Sequence, residues 1–157
     1  MRDILFRGKS VNDGNWVQGS LVVTTIEPAD DAPIKHYHIE DMTIGAFPNE
    51  FQSGLSETVD PETVGQFTGK TDKNRKRVFE GDILQLFTVW EGGTVEKSGR
   101  GIVQWCGNDQ CYVLTTKQGY HIDDFGNLGK PEYYEVIGNI YDNPELLEVY
   151  HDQRRSH

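Results

Sequence analysis

The stretch from Val64 to Leu86, VGQFTGKTDKNRKRVFEGDILQL, places two strand-like runs, a polar turn and a Gly-Asp step in one short span. Val64, Phe67 and the β-branched Thr63 and Thr68 favour an extended, half-buried segment, because branched and aromatic side chains fit a pleated surface. From Gly69 the chain becomes polar, and Lys70 to Lys76 reads as a turn. The apolar pattern resumes at Val78 and Phe79. Gly81 stands where the chain must bend sharply ahead of Ile83, and glycine accepts the positive φ that such a bend demands. Asp82 can bond the adjacent backbone. The pattern predicts a tight turn feeding a core strand.

Working outward, other blocks join this one. Near the N-terminus stand Ile4-Leu5-Phe6-Arg7-Gly8 and Trp16-Val17-Gln18-Gly19. In the centre come Thr63 to Gly69, Thr71-Asp72-Lys73-Asn74 and Phe79-Glu80-Gly81-Asp82-Ile83, and near the end Glu135 to Leu147, EVIGNIYDNPELL. With these blocks in this order the chain resembles the YopX family of phage and prophage proteins. The resemblance implies a small phage- or prophage-encoded protein with an SH3-like β-barrel in its second half, and it implies no activity. Arg75 departs from the pattern, since the family usually has Gly after Asp-Lys-Asn, so a turn of another type is expected there.

Composition agrees with a β protein. A chain of 157 residues can bury a real core as one domain of good size or two very small ones. With 17 glycines and 11% aromatics it suits short strands joined by turns better than a helical bundle. The expected fold is mainly β, all-β or α+β, with an N-terminal β region over 1–60 and an SH3-like β-barrel region over 61–157 that ends in a short helix. No apolar run approaches the roughly 18 residues of a membrane span. Met1-Arg2-Asp3 leads into structure without a signal-like apolar segment. The expected location is the cytoplasm of a bacterial host cell, away from membranes.

Along the chain, Asp3 to Phe6 and Asn15 to Val23 read as a hairpin turned by Asn12-Asp13-Gly14, with Trp16, Leu21 and Val23 directed to a core. Glu27 to Pro33 reads as an exposed loop, and Pro48 to Pro61 as a connection in which Asp60-Pro61-Glu62 starts one helical turn. Trp90 to Gly101 is expected to form a long mobile hairpin or loop. Ile102 to Trp105 then pairs with Tyr112 to Thr115. Glu135 to Tyr141 is the last strand, followed by a helix from Pro144 to Tyr150 with Asn143 as N-cap and Leu146, Leu147 and Tyr150 as its contact face.

Charge bounds the partners. Fifteen Lys and Arg against 25 Asp and Glu give a net charge of −10. Such a chain is repelled by nucleic acid and by anionic membranes, because phosphate neutralisation supplies most non-specific affinity. Only the turn offsets this locally: Lys70, Lys73, Arg75, Lys76 and Arg77 are the candidate phosphate contacts. Asp72, Glu80 and Asp82 lie among them, and a merely solvated turn is the commoner outcome.

Three further clusters bear on chemistry. His36, His38 and Glu40 fall on one side of a strand and are candidate metal ligands, although a solvated face opposite Tyr37 and Ile39 gives the same alternation. His121 beside Asp123 and Asp124 is the nearest thing to an acid/base group, but adjacent strand residues face opposite ways. Cys106 and Cys111 flank a hairpin loop and read as reduced packing residues, since two cysteines at this spacing make no zinc motif. No nucleophile elbow, phosphate-cradling glycine loop or metalloprotease helix occurs in the sequence. The expected function is therefore that of a non-enzymatic accessory protein without a cofactor, acting through protein contacts with itself or with a host or phage protein. A nucleic-acid-binding small barrel and a metal-dependent enzyme are the alternatives.

Overall fold

Runs of β-branched and aromatic residues broken by Gly, Asn and Asp give antiparallel strands throughout. The computed structural model describes residues 3–40 and 56–147. Two compact units emerge, Met1–Phe67 and Thr68–His157. The division falls inside a strand and not at the expected 60/61, because residues just after 61 still pair with the N-terminal hairpin.

In the first unit, β1 (Phe6–Lys9) and β2 (Trp16–Ile26) pair antiparallel from Phe6↔Gly19 to Lys9↔Trp16. The Asn-Asp-Gly turn forms as its chemistry demands: Gly14 has φ 73°, and Asp13 Oδ1 accepts the Asn15 N–H at 2.9 Å. The first strand starts at Phe6, leaving Ile4 exposed ahead of it. β3 (Ile34–Glu40), β4 (Ser56–Thr58) and the first half of β5 (Gly65–Thr71) complete the order β4-β3-β2-β1-β5. Ile39, Val59 and Phe67 are buried. Gly8 lies so close to Val59 and Ile39 that an added Cβ would sit 3.0 Å from Val59 Cβ. Asp60 caps a 3₁₀ turn at Pro61–Thr63 by accepting the Glu62 N–H, as its sequence suggests. The earlier part of the expected 48–61 connection lies outside the described residues.

In the second unit, the end of β5 pairs with β6 (Arg77–Phe79) across the polar turn. The strand runs on through Lys70 and Thr71, so the turn itself is shorter than Lys70 to Lys76. Strands β7 (Asp82–Val89), β8 (Val95–Cys106), β9 (Cys111–Thr115), β10 (His121–Asp124) and β11 (Tyr134–Asn139) form a sheet in the order β10-β9-β8-β7-β11. Val78, Leu84, Val103, Tyr112, Leu114, Phe125, Tyr134 and Val136 pack into its core. These pairings are those of antiparallel sheets, and a closed SH3-like barrel does not follow from them.

Two expectations are corrected here. Of the hairpin and the loop expected over Trp90 to Gly101, the hairpin forms but its turn is short, because Gly92 and Gly93 both take positive φ and let Trp90 donate its N–H to Thr94 O. β8 therefore starts at Val95, and its glycines are strand residues: at Gly101 an added Cβ would come within 3.1 Å of Leu114 Cβ. The last helix is a 3₁₀ turn at Pro144–Leu147 within the described residues, with Leu146 and Leu147 half-buried, and Tyr150 lies outside them. Asn143 Oδ1 reaches back to the Asn139 N–H at 3.4 Å. Among the described residues, no helix is long and apolar enough to cross a membrane.

Candidate functional site

The basic turn is built around a carboxylate. Asp72 is 2% exposed; its Oδ1 accepts the N–H groups of Asn74 (2.8 Å) and Lys76 (2.9 Å), and its Oδ2 that of Val136 (2.9 Å). Backbone donors thereby surround a buried charge that would otherwise be costly. Arg75 takes φ 63°, the left-handed region that glycine favours.

Lys73 and Lys70 are held by their own unit. Lys73 Nζ lies 2.6 Å from Glu135 Oε2 and 4.3 Å from the centre of the Phe87 ring. Lys70 Nζ donates to Phe125 O at 3.2 Å and sits 5.1 Å from that ring's centre. Arg75, Lys76 and Arg77 are exposed. The turn thus presents a narrower positive surface than its sequence suggests. The Lys73 ammonium, by its hydrogen bond and then its charge, holds the Glu135 carboxyl below its ordinary value against the opposing effect of burial.

His36 and His38 do share a strand face, with rings stacked at 6.3 Å between centroids. His38 Nδ1 lies 3.2 Å from Thr58 Oγ1. Among the described residues, no three His, Cys, Asp or Glu side chains are grouped so as to hold a metal ion. His121 Nε2 pairs with Asp124 Oδ1 at 2.9 Å, while Asp123 Oδ1 accepts from the Asp124 N–H and from Asn127. Cys106 and Cys111 stand opposite one another in the β8–β9 ladder as free thiols. Burial, and then the charges of Asp124 and Asp109, push the Cys111 thiol up.

The most prominent surface is one the sequence reading passed over. β2 and β3 pair from Ser20↔Glu40 to Ile26↔Ile34, whereas β4 meets β3 only from His38 to Glu40 and β1 meets β2 only up to Gly19. The pairs Thr24↔His36, Thr25↔Lys35 and Ile26↔Ile34 form a two-stranded ribbon that no third strand joins among the described residues. Ile26 and Ile34 on it are 54% and 50% exposed, and Val23 at its base is 44% exposed. Val23, expected in the core, is therefore on the surface. The signal was present in Thr24-Thr25-Ile26, which prolongs the β-branched run beyond Val23.

These features define the class: a mainly β protein of two antiparallel sheets, with a protruding apolar ribbon and a basic turn pinned by a buried aspartate. The chain belongs to the YopX family, matching the YopX protein description over residues 5–148. Among solved structures it is similar to the crystal structure of protein EF1440 from Enterococcus faecalis, at 21% identity over 94% of this chain and 99% of that one, with a TM-score of 0.44. No curated protein matches it.

Proposed function

We propose that the protein is a non-enzymatic accessory protein of phage or prophage origin that works in the bacterial cytoplasm through protein–protein contacts, its second unit serving as a small SH3-like module. One observation supports this reading: among the described residues, no strand pairs with either edge of the outer β2–β3 ribbon, and Val23, Ile26 and Ile34 are exposed. A lone two-stranded ribbon is marginally stable in water, and its free edges are templates for another strand. Symmetric pairing with a second copy satisfies both needs, because one edge serves both partners. The protein is accordingly a homo-oligomer joined through this ribbon.

Light scattering coupled to gel filtration at micromolar concentration tests this. The expected mass is a multiple of the 17.8 kDa chain, and Ile26→Lys with Ile34→Lys should return it to a single chain without loss of folding. A wild-type particle that stays monomeric over that range would sink the proposal.

A further inference from the structure

Gln85 and Arg100 are directly opposite one another in the β7–β8 ladder, just before a register shift between Leu86 and Phe87. Gln85 is only 3% exposed, and its amide is fully committed. Nε2 donates to Gly99 O (2.8 Å) and Leu86 O (3.1 Å), while Oε1 accepts from Arg100 Nε (3.1 Å). Arg100 Nη1 donates in turn to Leu146 O at 2.7 Å. The guanidinium is therefore held rigidly from two sides, with more N–H donors than these bonds use. Among the described residues, no carboxylate forms an ion pair with it.

Arg100 stands in the wall of a cleft of about 400 Å³ that lies wholly in the second unit. Leu86, Ile122, Leu146 and Leu147 supply apolar surface, and Thr116 and Ser98 supply hydroxyls. That volume falls within the range of small-molecule sites, and an apolar lining with a few fixed polar groups is how such sites orient a ligand. A planar guanidinium fixed by a buried amide matches the two oxygens of a carboxylate. We propose that this cleft binds a small free carboxylate with an apolar tail, its headgroup on Arg100 and its tail against Leu86, Ile122 and Leu147. The site is independent of the ribbon, so either proposal can fail without the other.

Calorimetric titration of the full chain with octanoate, and with octan-1-ol as the neutral probe of the same length, tests the assignment. Octanoate is expected to bind at millimolar concentration or better, and octan-1-ol about tenfold more weakly, as befits loss of a charge-assisted hydrogen-bonded pair. Arg100→Met should remove that preference by weakening octanoate alone. Because Arg100 also holds Leu146 O, Ile122→Ser at the exposed rim provides a second variant, which should weaken both probes and leave the preference intact. No binding of octanoate, equal binding of the two probes, or unchanged octanoate affinity in folded Arg100→Met would overturn the proposal. So would binding of acetyl-Ala-Ala-Leu through its terminal carboxylate where octanoate fails, which would make the cleft a peptide site.

Discussion

The buried carboxylate of Asp72 accepts the backbone N–H of Val136 through Oδ2 at 2.9 Å, fastening the basic turn to the final strand. Its other oxygen holds the turn's own N–H groups at Asn74 and Lys76. Asp72→Ala strips all these donors of their acceptor at once, and leaving a buried group unsatisfied costs more than a hydrogen bond contributes. The expected loss is about 3 kcal/mol. Urea unfolding should show a lower midpoint with little change in slope. An unchanged midpoint would mean that water replaces the carboxylate at no cost.

Gly81 has φ 85°; its N–H donates to Val103 O at 2.8 Å, and its carbonyl accepts from Ile140 at 3.0 Å. The backbone cannot relax away from the left-handed region without breaking these bonds. Gly81→Val should therefore destabilise by at least about 1 kcal/mol, the penalty of placing a branched side chain there. A melting temperature equal to wild type would show this glycine to be ordinary.

Arg75 occupies the left-handed region at φ 63°, with its N–H donated to Asp72 O at 2.9 Å. Replacement by Gly removes strain of about 1 kcal/mol but adds unfolded-state freedom of similar size. Arg75→Gly should therefore be nearly neutral, while Arg75→Val should cost about 1 kcal/mol or more, since a β-branched residue resists positive φ. Equal stabilities for the two variants in thermal melts would exclude a backbone origin.

How much of this was legible in the sequence follows from which forces are local. The Asn12-Asp13-Gly14 turn, the helical turn begun at Asp60-Pro61-Glu62 and the Gly81-Asp82 step rest on neighbouring residues, and each formed as read. The core strand expected after that step is β7, and Ile83 and Leu84 are both fully buried, so neither face of its start is polar. The start of β8 was hidden by Gly99 and Gly101, and at Gly101 the place in a strand depends on Leu114 and Ile122 packing across it. For the candidate sites the limit was pairing. Nothing near Lys73 in sequence announces Glu135, and nothing near Gln85 announces Arg100, since both contacts need the sheet register.

The Lys73–Glu135 pair gives a pH signature. Lys73 holds the Glu135 carboxyl below its ordinary value of 4.5, so the folded state releases that proton more readily than the unfolded chain. The pair's contribution is present above that value and is lost as pH falls through the lowered folded one. Both side chains are about a third exposed, at 35% and 31%, and solvent screening keeps the contribution under about 1 kcal/mol. Glu135→Gln should flatten the acid limb of the stability profile slightly and leave a smaller salt dependence at pH 7. A profile identical to wild type would show the pair to be energetically silent.

The last prediction separates protein contacts from nucleic-acid binding as the role of the basic turn. Its five cations look, in sequence, like a phosphate-binding patch on an otherwise acidic chain. In the fold Lys73 is paired with Glu135 and Lys70 is held on Phe125, so engaging phosphate would first break contacts already made. Arg75, Lys76 and Arg77 remain on the surface, and the net charge of −10 opposes approach of any polyanion. Labelled single- and double-stranded DNA and RNA titrated at low salt should therefore show no binding at micromolar protein, and Arg75→Glu with Arg77→Glu should change nothing. The opposite outcome has a distinct form. Wild-type affinity would fall linearly on a log-log salt plot, and each phosphate-contacting cation removed would lower the slope by about one. Such a result would transfer the function of this turn from a structural clasp to a nucleic-acid contact.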